Sequence, residues 1–292
     1  MESRSKKAFR LIALFLNIIV IALIGLVYNA NSKNEKIKRN ITKLSSKIEK
    51  KYNSDEIEQE IELYKNIDDS IKNKYDEYFT NISKLEEKIV KGESDVKIAY
   101  LTFDDGPYDL TYQVLDTLKA NDVKATFFVL GKTEVEDRYK RIVDEGHTLA
   151  NHTFDHNIGT GLYRSVDSFI AEVKQLEDYL YDITGYRTTL VRFPGGSPTA
   201  GSLKDGIVNR LHEMGYKYVD WTSETGDGSS QKLAIKDTWQ WYIDTTSGVD
   251  IVVLLMHDYN YSTVGNLQRI IDDLKGKGYL LLPLHNKSIM AN

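Results

Sequence analysis

The chain of 292 residues contains no cysteine. Disulfides and thiolate metal ligands are therefore excluded. That absence does not assign a compartment, because a large core can replace covalent staples in an exported protein. An excess of basic charge is missing too: 38 Lys and Arg against 43 Asp and Glu leave a net charge of −5. Nucleic acid is consequently not an expected partner. Glycine and proline, the usual punctuation of loops, do not occur between Asn34 and Lys91.

What is present starts with an apolar run. Leu11 to Tyr28 carries only Asn17 as a polar residue, and Arg4, Lys6, Lys7 and Arg10 precede it in a short basic tail over 1–10. A helix rising about 1.5 Å per residue needs about 20 such residues to cross the ~30 Å hydrocarbon core. The run is just long enough, and it predicts a transmembrane anchor over 11–30. A cleaved secretory signal is the competing reading, but Tyr28 stands where a small residue is wanted for cleavage. Lys33, Lys36, Lys38, Arg39 and Lys43 follow the span, so flanking charge does not choose an orientation. Long following domains translocate largely regardless of charge, which puts the C-terminal bulk outside a single-pass anchor in the cell membrane.

Ile37, Ile41, Leu44, Ile48 and Tyr52 recur at steps of three and four, as do Ile57, Ile61, Tyr64, Ile67, Ile71, Tyr75, Tyr78, Ile82, Leu85 and Ile89. A narrow apolar stripe on a polar helix predicts a helical stalk or coiled coil over 31–95, able to pair two copies as a homodimer. The phase slips at Asn53-Ser54-Asp55-Glu56, a helix-start sequence, so a hairpin and a rod both fit.

From Val96 the texture changes, and 96–292 is predicted as one domain. Apolar runs at Lys97–Phe103, Ala125–Val129, Thr148–Asn151, Thr189–Arg192, Lys217–Trp221, Ile251–Leu255 and Tyr279–Pro283 alternate with helical stretches, the clearest being Val166–Ile183. Strict alternation implies parallel strands with helices outside. About seven such units predict an α/β barrel rather than an open sheet. In such barrels the active site gathers at the C-terminal ends of the strands. Asp104 and Asp105 end the first run, His152 and His156 follow the third, Arg192 ends the fourth, Asp220 and Trp221 the fifth, and His257 follows the sixth. Adjacent carboxylates and a pair of imidazoles spaced i, i+4 are the raw material for a divalent metal site with a base beside it.

Four segments carry a family resemblance: Thr-Phe-Asp-Asp-Gly-Pro at 102–107, Asn-His-Thr-Phe-Asp-His at 151–156, Arg-Phe-Pro-Gly-Gly at 192–196 and Val-Leu-Leu-Met-His-Asp at 253–258. The region from Val96 to Pro283 resembles a polysaccharide deacetylase domain of the NodB-like type, carbohydrate esterase family four. That resemblance implies a distorted (β/α) barrel. It implies that Asp105, His152 and His156 bind one divalent metal; zinc suits the ligand set, with Co2+, Fe2+ or Ni2+ as alternatives. Asp104 would be the general base, Arg192 the cation that holds it ionised and aimed, and His257 the general acid. The Gly195 backbone N–H would stabilise the oxyanion, and Leu255 would wall the acetyl methyl.

The chain departs from the family where an Asp-x-x-Asp-Trp motif would stand, having Glu224-Thr225-Gly226-Asp227-Gly228. Asp227 is the candidate to orient His257, with Asp220 as the alternative. Gly228 supplies no aromatic wall, for which Trp221 and Trp239 are the candidates. The implied activity is hydrolysis of N-acetyl groups on N-acetylglucosamine units of peptidoglycan or a related glycan, releasing acetate. An O-acetyl esterase with the same metal site and a non-catalytic wall-binding membrane protein are the alternatives.

Overall fold

The computed structural model describes residues 77–229 and 233–292. The predicted anchor over 11–30 and the predicted stalk up to residue 76 lie outside the described residues. Among the described residues no helix is long and apolar enough to cross a membrane.

The run KIAYLTFD forms β1, Lys97–Asp104, and all of it beyond Lys97 is buried. It then sets the pattern for the whole sheet. Successive side chains of a strand point to opposite faces. Ala99, Leu101 and Phe103 enter one apolar cluster together with residues of the surrounding helices. Ile98 and Tyr100 enter a second cluster. That second face is the barrel interior, and Thr102 and Asp104 share its parity.

Seven further strands follow: β2 Thr126–Val129, β3 Thr148–Asn151, β4 Leu190–Val191, β5 Lys217–Tyr218, β6 Ser223–Glu224, β7 Ile251–His257 and β8 Tyr279–Leu281. Every pairing between them is parallel. The order is β5-β4-β3-β2-β1-β7-β6, with β8 also on β1. β7 pairs with β1 along its length, from Ile98 to Asp104. β2 and β8 therefore share the other edge, β8 at Lys97–Ala99 and β2 at Thr102–Asp104.

The ends of this half-barrel, β5 and β6, are consecutive in sequence and do not pair with each other. The link between them closes the ring instead. Val219 N donates to Val191 O on β4, and Thr222 N donates to Val253 O on β7. The strand predicted at 217–221 shortens to Lys217–Tyr218 because the chain leaves the ladder at this crossing, and the one predicted at 189–192 is observed as Leu190–Val191.

Helices cover the outside. They are α2 Thr111–Ala120, α3 Glu136–Asp144, α4 Val166–Thr184, α5 Lys204–Glu213, α6 Ile235–Thr246 and α7 Tyr261–Gly276. For α4, Ser165 accepts a hydrogen bond from Ser168 N at the start and Gly185 (φ 68°) ends it, the capping chemistry expected at each terminus. Phe169, Val173, Leu176 and Leu180 face the core.

A further helix, α1, runs over 77–90. The sequence suggested a stalk to residue 95, but these residues belong to the same compact unit as the barrel. Phe79 and Ile89 are buried, and Ile89, Leu284 and Ala291 join the interior cluster. Glu86 fastens this floor. Its carboxylate accepts from Tyr100 OH at 2.6 Å, Ser288 Oγ at 2.6 Å and Ile289 N at 3.0 Å. Burial pushes the Glu86 carboxyl up from its ordinary value, and these three donors offset part of that.

Candidate active site

Parallel strands with one inward parity bring distant residues to one end of the barrel. Asp104 pairs in register with His257 across β1 and β7. Asn151 pairs with Val191, so His152 and Arg192, the next residues, stand side by side. Glycine and left-handed backbone then turn the chain sharply beyond the strands. Asp105 has φ 68°, Thr153 φ 67° and His156 φ 57°, conformations that cost non-glycine residues energy and cluster at functional sites. Gly106 is required by contact: a Cβ there would lie 2.2 Å from Asp258 Oδ2.

Arg192 is fully buried and its guanidinium ties the site to the barrel interior. Nη1 donates to Asp104 Oδ1 at 2.8 Å and to Thr102 Oγ1 at 2.7 Å. Nε donates to Val219 O at 3.0 Å and Nη2 to Asp220 O at 3.2 Å. The ring-closing crossing thus also anchors Arg192. Burial pushes the Asp104 carboxyl up, and the Arg192 charge pulls it partly back. A carboxylate raised from its ordinary value is better suited to accept a proton.

His152 Nδ1 lies 2.8 Å from Arg192 O. A carbonyl only accepts, so Nδ1 carries the hydrogen and Nε2 presents its lone pair. Nε2 lies 3.6 Å from Asp105 Oδ1, and His156 Nε2 lies 3.5 Å from the same oxygen. Burial pushes the His152 imidazole down to about 3, so it is neutral, as a metal ligand must be. Asp105 Oδ1 is buried without a hydrogen-bond partner. An unpaired carboxylate oxygen and two imidazole nitrogens therefore converge, with ligand atoms all within 4.8 Å of one another. Ligands about 2.1 Å from one tetrahedral ion stand roughly 3.4 Å apart, so the spacing fits a single small divalent cation.

The loop carrying His156 is held from outside. Glu172 on α4 accepts from Phe154 N at 3.0 Å and Asp155 N at 3.1 Å through Oε2. Nothing in the local sequence marks Glu172, because its partners are backbone groups 17 and 18 residues away.

His257 faces the same cluster, with Nε2 3.8 Å from Asp105 Oδ2. Its Nδ1 lies 2.9 Å from Asp227 Oδ1, and its backbone N donates to Asp227 Oδ2 at 2.8 Å. Thr263 Oγ1 also donates to Oδ2. Burial pulls the imidazole down, but the Asp227 hydrogen bond and charge, with Asp104 and Asp105, carry it to about 9. Asp220 is engaged elsewhere, accepting from Ser197 N at 2.9 Å and Ser197 Oγ at 2.6 Å. Of the two candidates, Asp227 is the one that touches His257.

These groups line a cleft of about 380 Å3 shared with Gly195, Leu255, Trp221, Glu224, Trp241 and Tyr259. Leu255 shares the inward face of β7 with His257. Trp221 lies on Gly196, whose Cβ would meet its ring at 3.0 Å. Trp239 is not part of this cleft: it packs against the outer core and Tyr242, under the Arg269 guanidinium at 3.5 Å. Two lining aromatic residues that the sequence did not single out are Trp241, two positions on, and Tyr259.

Comparison with known proteins bears on the family and the fold. Residues 91–219 match the polysaccharide deacetylase family model. A putative polysaccharide deacetylase of Bacillus subtilis, YheN, is 38% identical over 217 residues, covering 72% of this chain and 74% of that protein. A peptidoglycan-N-acetylglucosamine deacetylase of Bacillus cereus is 35% identical over 197 residues, covering 66% of this chain and 71% of its own length. Among solved structures, the catalytic domain of peptidoglycan N-acetylglucosamine deacetylase from Eubacterium rectale superposes with a TM-score of 0.64 at 31% identity, covering 67% of this chain and 92% of that one.

Proposed function

Because the chain belongs to the polysaccharide deacetylase family, we propose that it is a metal-dependent hydrolase that removes acetyl groups from N-acetylglucosamine units of peptidoglycan or a related cell-surface glycan. The observation that carries this reading is the convergence of Asp105 Oδ1 with the Nε2 atoms of His152 and His156, with Asp104 Oδ2 3.7 Å from His152 Nε2 and His257 Nε2 3.8 Å from Asp105 Oδ2. A divalent cation on those three residues supplies Lewis acidity, acidifying water and polarising the amide carbonyl; zinc suits two imidazoles and a carboxylate. Asp104, fixed by Arg192 Nη1 at 2.8 Å, takes the proton of the attacking water. The Gly195 N–H at the cleft wall is the donor for the oxyanion that develops on the carbonyl. His257, held protonated by Asp227, gives its proton to the departing nitrogen. Water adds to the acetyl carbon, the C–N bond breaks, and acetate and a free amine leave. Leu255 offers an apolar wall to the methyl group.

The apolar run at Leu11–Tyr28 supports an anchored protein with this domain outside the cytoplasm, where the glycan is. The functional test incubates the protein with N-acetylated oligosaccharides, acetylated wall fragments and O-acetylated glycans, with and without chelator, and follows products by mass spectrometry. Loss of 42 mass units per sugar from N-acetylated substrates, abolished by chelator and restored by Zn2+, is the expected result. Release from O-acetylated substrates alone would make the protein an esterase. No release from any of them would remove the catalytic reading.

A further inference from the structure

Building on the deacetylase reading, we infer that Trp241 is the aromatic platform on which the saccharide stacks, supplied by α6 in place of an aromatic residue after Asp227. Two glycines make this arrangement. A Cβ at Gly228 would lie 2.4 Å from His257 Cε1, so position 228 holds no side chain unless the imidazole moves. A Cβ at Gly226 would lie 2.7 Å from Trp241 Cδ2 and 2.9 Å from Cε3. The indole therefore occupies the space a side chain at 226 would take, and Gly226 (φ 68°) has the backbone conformation that favours glycine.

Trp241 is nonetheless 43% exposed, on the rim of the cleft that holds Asp105 and His257. The two other tryptophans differ from it. Trp239 is committed to the core side, and Trp221, although it also lines the cleft, is partly buried and packs against the interior cluster. One turn beyond Trp241, Thr245 pins α6 to the cleft wall. Its Oγ1 accepts from Glu224 N at 3.1 Å and donates to Glu224 O at 2.8 Å, and its carbonyl accepts from Ser223 Oγ at 3.0 Å. The ring is thus seated from below and fixed along its helix, with area left open towards the cleft. The apolar C–H face of a pyranose packs on such a surface through dispersion and hydrophobic burial. A platform held before the ligand arrives loses little freedom on binding.

The test uses the full chain as wild type, Trp241→Ala, Trp241→Phe and Trp239→Phe, with chitotetraose as substrate and as binding probe. For Trp241→Ala, KM is expected to rise roughly three- to ten-fold, the range of one aromatic stacking contact, with the larger part of the effect in KM rather than kcat. Phe at 241 restores most of the affinity, and Trp239→Phe leaves KM where it was. Tryptophan fluorescence gives a second readout independent of turnover: chitotetraose quenches the wild type and Trp239→Phe, and quenches Trp241→Phe far less. An unchanged KM in Trp241→Ala, a loss confined to kcat, or no rescue by Phe would overturn the platform. If the wild type releases no acetate, the deacetylase reading has failed on its own, and the quenching comparison decides the platform.

Discussion

On one side of the cleft, Asp104, Asp105, His152 and Arg192 stand at the ends of β1, β3 and β4, each within one residue of a strand. On the other side, Gly226, Asp227, Gly228 and Trp241 come from the β6–α6 connection and the first turns of α6. The first group is held by buried contacts in the barrel interior, above all the four hydrogen bonds of Arg192. The second depends on what two glycines leave room for. In the proposed mechanism the metal ligands and the base thus rest on the frame with least freedom to change, whereas the partner of the acid and the proposed sugar platform come from a connection shaped by two glycines. A departure from the family pattern at 224–228 is therefore compatible with an intact catalytic centre.

The comparison can be broken most sharply at Asp104. Replacing it with Asn is expected to lower kcat ~10²–10⁴-fold, the usual contribution of a positioned base, with the cation still bound. Equal loss of bound metal would move Asp104 into the ligand set, from which its Oδ2 stands only 3.7 Å at His152 Nε2. Arg192→Met leaves a buried carboxylate without its cation, and urea unfolding should show a loss of about 3–5 kcal/mol. Unchanged stability would mean that the strand-end side is not the rigid one.

On the other side, Asp227→Asn removes the charge that raises His257. His257 at about 9 is protonated below that pH and loses its proton as pH rises through it, so activity should fall on the alkaline side. A divalent cation held by Asp105 would repel the imidazolium, so the limb of a metal-loaded enzyme is expected below about 9. In Asp227→Asn the limb should move lower still, each unit costing about ten-fold in rate above the new pKa. A limb that stays in place would assign it to another group. The smallest effect is expected for Gly228→Ala, whose methyl would have to displace the His257 ring. A decrease in kcat of a few-fold is expected, on the scale of a slightly misaligned acid. No change would show that the glycine is not needed beside His257.

The strands that carry the chemistry were legible because a parallel barrel strand is an unbroken apolar run. β1, β2, β3 and β7 follow Lys97–Phe103, Ala125–Val129, Thr148–Asn151 and Ile251–Leu255 to within two residues. β6 was not legible: Ser223–Glu224 is two residues long and has no pattern of its own. The ring closure through 219–222 is equally silent, since it depends on backbone partners in β4 and β7. In the site, Asp105, His152 and His156 stand in two short segments whose residue types announce their use. Asp227 was the first candidate to orient His257, with Asp220 as the alternative, and the hydrogen bonds decide between them: Asp227 holds His257, whereas Asp220 holds Ser197. Trp239 was a wall candidate from its proximity in sequence, yet Trp241 lines the cleft. On a helix two residues make a change of face of about 200°, and the sequence does not say which face meets Gly226. Residues 77–90 read as a continuing stalk because a stripe that packs on a barrel floor has the same period as one that packs on another helix.

The most direct measurement of the central claim is the stoichiometry of bound metal, by elemental analysis of the full chain after equilibration with Zn2+ and removal of free ion. One ion per chain in the wild type and none in the double variant His152→Ala, His156→Ala is the predicted outcome. A wild type that retains no ion, or a double variant that still holds one, would contradict the proposed centre.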